Sequence, residues 1–113
     1  MEVSMSTLKY ADCIAACNEC ADICDYCATS CLKEDNVAMM ARCIRTDMDC
    51  AALCRLAAGA LARESEHAVA ICQLCAQVCE ACAEECEKHD HDHCQRCATA
   101  CRRCAEACQK MAA

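Results

Sequence analysis

The chain has 113 residues and a net charge of −7; 19 residues are Cys, one is Gly, and none is Pro, Trp or Phe. That length predicts one domain, spanning 1–113. Two aromatics and an acidic balance exclude a nucleic-acid binder, since there is neither a basic stripe nor a stacking platform. No apolar run approaches a membrane span, and a chain without Pro lacks the usual breakers of a disordered acidic segment.

The apolar inventory is unusual. Of 65 residues counted as hydrophobic, 19 are Cys, 24 are Ala and only 22 are larger. That makes a thin core for this length. A free thiol behaves as a small buried hydrophobe, and Cys is abundant enough to fill the middle.

The first segment, Met1 to Tyr10, has no apolar stretch and no cleavage pattern of a signal peptide. A reducing cytosol is therefore expected, where thiols stay free for metal. The odd number of Cys also excludes complete internal pairing. From there Cys13, Cys17, Cys20, Cys24, Cys27 and Cys31 follow at intervals of 4, 3, 4, 3 and 4. Alternation of 3 and 4 is the inward seam of a bundle helix, with Cys where Leu is usual. A strand needs period 2, which is absent. The spacing predicts a first helix near 7–32.

The break Lys33-Glu34-Asp35-Asn36 offers Asp35 or Asn36 as a helix cap. A second helix near 36–62 has a gapped seam: Met40, Cys43, Asp47, Cys50, Cys54, Ala57 and Leu61. Ser65 is the expected cap of a third helix near 66–88, with Cys72, Cys75, Cys79, Cys82 and Cys86. Asp90 or Asp92 is the expected cap of a fourth near 92–111, with Cys94, Cys97, Cys101, Cys104 and Cys108. Short breaks force antiparallel neighbours. The expected fold is all-α, an up-down-up-down four-helix bundle with a Cys-lined core.

Residues at i, i+3 and i, i+4 share a helix face, with Cβ atoms roughly 5–6 Å apart. Pairs such as Cys13/Cys17, Cys20/Cys24, Cys50/Cys54 and Cys97/Cys101 can therefore straddle one ion. Charge selects the ion. If each thiolate bridges two Cu(I), one copper replaces one proton and the core stays near neutral. Zn(II) on four thiolates leaves −2 per site, a steep cost along a buried axis with no Lys or Arg in the seam. Soft sulfur and low coordination also favour Cu(I), many ions per chain. The ferredoxin pattern is absent, and no nucleophile, base and orienter stand together, so no enzyme is read. Zn(II) or Cd(II) buffering is the alternative. A copper-delivery chaperone and a thiol redox reservoir are further classes.

Antiparallel topology gathers Cys31, Met39, Met40, Cys43, Cys86, His89, His91, His93 and Cys94 at one end. Tyr10, Leu61, His67, Cys108 and Met111 fall at the other. Copper is expected to enter at the His/Met end, with the Tyr10/Met111 end closed. Asp47, one turn below Cys43, is a candidate ligand or a partner of a neighbouring helix. The His cluster is either a ligand set or a solvated loop. Outside the seam, the larger apolar residues lie on the second and third helices, and oligomer contacts are expected there, leaving the fourth wet.

From CIAACNECADICDYCATSC through HDHDHCQRCATACRRCAEAC, the sequence resembles the cytosolic members of the bacterial copper storage protein family. The resemblance implies reversible storage of many Cu(I) ions on inward thiolates, assembly as a homotetramer, and His and Asp ligands near one mouth. Those ligands map to His91, His93 and Asp47. The second helix departs from a full train, with three Cys, so its sites must borrow sulfur from neighbours.

Overall fold

A computed structural model describes residues 8–113. Four helices carry the chain: α1 Ala11–Leu32, α2 Ala41–Ala62, α3 Ala68–Glu87 and α4 Asp92–Ala112. Each packs on its neighbour in chain order, and α4 closes the ring on α1. The all-α antiparallel bundle read from the Cys trains is the observed fold. Among the described residues no helix is long and apolar enough to cross a membrane.

The helix starts differ from the expected ones. Residue 7 lies outside the described residues, and α1 begins at Ala11 after a turn in which Ala11 N–H bonds to Leu8 O. At 22 residues and about 1.5 Å per residue, α1 spans about 33 Å. The second segment enters through a 3₁₀ turn, Val37–Met40. Asn36 makes no side-chain cap there; its carbonyl instead accepts from Met39 N–H at 3.1 Å. Ser65 closes a turn ahead of α3 rather than its first helical turn: its Oγ accepts from His67 N–H at 3.1 Å. At α4 neither Asp90 nor Asp92 caps through its side chain. His91 takes the cap position in extended conformation, and Asp92 supplies a negative charge in the first turn.

The end of α2 shows how a chain with one Gly reverses direction. Ser65 N–H bonds to Ala60 O at 2.9 Å and Glu64 N–H to Leu61 O at 3.1 Å. This pair of bonds satisfies the last carbonyls and needs a left-handed residue between. Glu64 fills that position with φ 53°.

Every interpolated seam position of the second segment is buried: Met40 at the end of the 3₁₀ turn, and Asp47, Ala57 and Leu61 on α2. Buried Ala flanks the sulfur: Ala21, Ala51, Ala58, Ala76, Ala83, Ala98 and Ala105. Small flanking side chains let the backbones approach, which brings four seams of short thiols to a common axis. Ile44, Leu53, Ile71 and Val78 pack part-buried against this core. The large apolar residues left exposed are on α1 (Tyr26, Leu32), the link (Val37, Met39), α2 (Met48, Leu56) and α3 (Val69, Leu74). None is on α4.

Candidate metal centre

Eighteen of the nineteen thiols are completely buried, and Cys13 retains 8% exposure. All nineteen are free. Sulfurs meet along each helix, as Cys20/Cys24 at 3.9 Å and Cys50/Cys54 at 4.0 Å. They also meet between helices, as Cys24/Cys97, Cys50/Cys79 and Cys54/Cys79, each at 3.6 Å. Metal–sulfur bonds of about 2.3 Å place two sulfurs about 4.0 Å apart around a trigonal ion and about 4.6 Å apart across a linear one. The observed spacing therefore suits bridged, multinuclear thiolate chemistry with small adjustment.

Donor atoms within 4.8 Å of one another form overlapping groups. One holds Cys17, Cys75, Cys104 and Cys108; another holds Cys20, Cys24, Cys50 and Cys101. A third holds Cys20, Cys50, Cys54 and Cys79; a fourth holds Cys24, Cys82, Cys97 and Cys101. Cys20, Cys24, Cys50 and Cys101 each belong to two of these. Sharing is what a bridging thiolate requires, and isolated tetrahedral sites do not need it. The three Cys of α2 do borrow their neighbours: Cys50 and Cys54 reach Cys79 on α3, and Cys43 reaches Cys86 at 3.7 Å. Cys72, nearer the Tyr10 end, is pushed up to about 11, chiefly by burial. Burial likewise raises Cys31 and Cys94. Such thiols hold their protons until a metal displaces them.

Asp47 sits among the sulfurs with no exposure. Cys82, Cys97 and Cys86 donate to its Oδ1 at 3.2, 3.3 and 3.5 Å, and Cys43 donates to Oδ2 at 3.8 Å. The carboxyl thus touches sulfur from α2, α3 and α4. Burial pushes it far above the usual carboxylate range, and negative charge at Cys97 or Cys82 would raise it further.

The three histidines at the mouth have three different settings. His93 turns inward: its Nδ1 lies 3.5 Å from Cys94 Sγ, 3.6 Å from Cys27 and 3.9 Å from Cys31. With those three thiols it forms a four-donor group. Its Nε2 is buried without a hydrogen-bond partner, 3.9 Å from Glu34 Oε1. His91 lies outside that group, stacked on His93 with centroids 5.3 Å apart, and its Nδ1 bonds to Glu34 Oε2 at 2.8 Å. His89 turns away from sulfur to Glu85 Oε2 at 2.9 Å. A cavity of about 270 Å³ opens here, lined by Glu34, Asp35, Met39, Met40, His89 and His91. Met40 is buried beneath it, whereas Met39 and Met48 are exposed.

Two carboxylates of this mouth lie outside the pattern of spacings. Glu34 reads as a loop residue in sequence, yet it bonds to His91 and lies beside His93. Glu85 reads as one more surface acid of α3, yet it is buried and bonded by Arg42 Nε at 3.1 Å, by His89, and by Lys88 at 3.4 Å. Burial alone would raise Glu85, but hydrogen bonds from His89 and Lys88 hold it below its usual value. The one available signal is its position next to the seam residue Cys86. At the opposite end a cleft of about 590 Å³ is lined by Leu8, Tyr10, Cys13 and Met111 among others. The cleft is a surface feature: Cys108 and Leu61 stay buried at this end, and Cys13 keeps 8% exposure.

Known proteins share this architecture. A Cu(I)-bound copper storage protein, BsCsp3, matches with a TM-score of 0.88 at 50% identity, over 93% of this chain and 100% of that one. A cytosolic copper storage protein from Streptomyces lividans, solved with five coppers, matches with a TM-score of 0.88 at 46% identity, over 91% of each chain. The cysteine-rich protein YhjQ of Bacillus subtilis (strain 168), described as uncharacterized, is 52% identical over 81 residues, which is 72% of this chain and 75% of that protein. The family model described as copper storage protein matches residues 6–113. The chain belongs to the copper storage protein family.

Proposed function

We propose that this chain is a single storage domain that holds many Cu(I) ions in the cytosol on its nineteen thiolates, without catalysing a reaction. The observation that carries the reading is the sharing of buried thiols among overlapping four-donor groups. Each shared thiolate can bridge two Cu(I). One monovalent ion then enters for each proton lost, and the low-dielectric axis gains little charge. Cu(I) is also the ion that soft, two- or three-coordinate sulfur selects. Kinship with proteins described as copper-loaded supports the same choice.

His93 and Asp47 serve as the donors other than sulfur. His91 binds Cu(I) outside the core and passes it inward across its stack with His93. Copper enters through the His/Met mouth, where Glu34 and Asp35 attract a cation. The chain assembles as a homotetramer through the exposed apolar residues of α2 and α3, leaving α4 in water.

Anaerobic Cu(I) titration read by native mass spectrometry tests the reading. Uptake approaching one copper per thiol is expected, with Zn(II) saturating far lower. Uptake that stops at a handful of Cu(I), or Zn(II) reaching the same number, overturns it.

A further inference from the structure

The two stacked rings at the mouth share one carboxylate. Glu34 Oε2 lies 2.8 Å from His91 Nδ1, and Glu34 Oε1 lies 3.9 Å from His93 Nε2. The loop that carries Glu34 is tied to the core: Glu34 N–H bonds to Cys31 O at 3.2 Å, and the Cys31 thiol belongs to the same four-donor group as His93. A neutral imidazole has one N–H and one lone pair, and only the lone pair can take a metal. The nitrogen that keeps the proton therefore decides which nitrogen can hold copper.

At His91 a lone pair on Nδ1 would be repelled by a carboxylate oxygen 2.8 Å away, so the proton sits on Nδ1 and the free lone pair is at Nε2. At His93 the order is reversed. Its Nδ1 faces the thiols of Cys94, Cys27 and Cys31 at 3.5, 3.6 and 3.9 Å. Burial keeps the protons on Cys31 and Cys94. A protonated thiol donates, so Nδ1 accepts and the ring proton sits on Nε2. That nitrogen is buried without a partner. A closure of about 1 Å brings Glu34 Oε1 into ordinary hydrogen-bond range of it.

We infer that Glu34 is the positioning residue of the mouth. One oxygen holds His91 as its Nδ1–H tautomer and the other holds His93 as its Nε2–H tautomer. The outer ring is left with its lone pair at Nε2, and the inner ring with its lone pair at Nδ1, toward the thiols. Cu(I) then bonds to a standing lone pair at each ring, and no proton leaves either one. Ligation at His93 Nδ1 makes Nε2–H a stronger donor, so the bond to Glu34 tightens as copper arrives. The inference rests on the storage reading, in which both rings carry copper, but its first test needs no copper.

Long-range 1H–15N correlation NMR on the anaerobic, copper-free chain at about pH 8.5, where imidazole is neutral, reads each tautomer directly. His91 should appear as Nδ1–H, the form that free histidine disfavours, and His93 as Nε2–H. Glu34→Ala should return His91 to Nε2–H. In stopped-flow Cu(I) uptake the same substitution should slow the first phase at least about threefold at unchanged capacity. Made in a chain that already carries His91→Ala and His93→Ala, it should change that rate by less than about 1.5-fold, because no ring is left to hold. His91 found as Nε2–H in the wild type, His93 found as Nδ1–H, or His91 unmoved by Glu34→Ala overturns the positioning role alone. So does a slowing that persists at full size without the two histidines, which assigns Glu34 to charge attraction. A chain that takes up no Cu(I) overturns the storage reading and, with it, the role of Glu34 in copper transfer.

Discussion

Asp47 makes the copper-free protein less stable as pH rises through neutrality, and Asp47→Asn should abolish that dependence. The carboxyl has no exposure, and burial raises it far above the usual range. In the unfolded chain it titrates near its ordinary value of about 3.9. Between pH 5 and 7 the unfolded chain has therefore released this proton while the folded chain retains it. Unfolding therefore releases one proton, so stability falls with pH by about 1.4 kcal/mol per unit for one group. Over two units the difference between wild type and Asp47→Asn should change by about 2.7 kcal/mol, with the variant gaining. Asn matches the protonated acid in shape and can still accept from Cys82 and Cys97. The thiols and histidines are common to both proteins, so their own titrations drop out of the difference. Anaerobic urea unfolding of the two copper-free proteins, followed by circular dichroism at pH 5, 6 and 7 and at one fixed concentration, measures it. Parallel stability curves across those three pH values would show that Asp47 is ionised in the fold and would refute the reasoning.

Glu85→Ala should destabilise the copper-free chain by about 1–2 kcal/mol, because it strands His89 and breaks the bond from Arg42 that ties α2 to α3. Its carboxyl is held low, so that stabilisation is present above its unfolded pKa of about 4.3 and is lost as pH falls through the lower folded value; urea unfolding at pH 3 and 6 should show the variant's deficit shrinking in acid. Glu64→Gly should raise stability by about 1 kcal/mol by relieving a left-handed residue at φ 53°, and thermal unfolding should register it. Gly59→Ala should add about 0.5–1 kcal/mol in the same assay, since the added Cβ meets chiefly the mobile end of Arg63, at 3.0 Å. His93→Ala should leave copper capacity within about one or two ions of wild type but slow the first uptake several-fold in stopped-flow titration; unchanged uptake would exclude His93 from the mouth.

Spacing alone was enough to read the helices, their inward face and even the polar member of that face. Asp47 was legible because it falls in register between Cys43 and Cys50, and a position in the seam must be buried whatever its chemistry. The same logic failed for Glu34 and Glu85. Each has a partner across the bundle: Glu85 meets Arg42 over 43 residues of chain, and Glu34 meets His91 from the far side of two helices. Periodicity carries information about a residue's own helix face and none about which distant side chain will face it. Helix starts failed for a related reason. Asn36 and Asp92 are good capping types, but the turn that enters each helix decides whether the side chain can reach back, and here the backbone closes the turns at Met39 and Cys94 without them.

What spacing did carry is also what makes the centre work. A seam of Leu would fill the axis and hold the helices about a side chain apart. Cys is shorter, and with Ala beside it the same helices draw in until sulfurs from all four stand 3.6–4.0 Å apart. The apolar contribution to the copper-free fold is small for that reason, since each thiol buries less surface than the Leu it replaces. A bond from one ion to sulfurs on different helices would then add stability that side-chain packing does not supply. The residue pattern that weakens the bundle as a hydrophobic object is therefore the one that couples its stability to the cargo it holds.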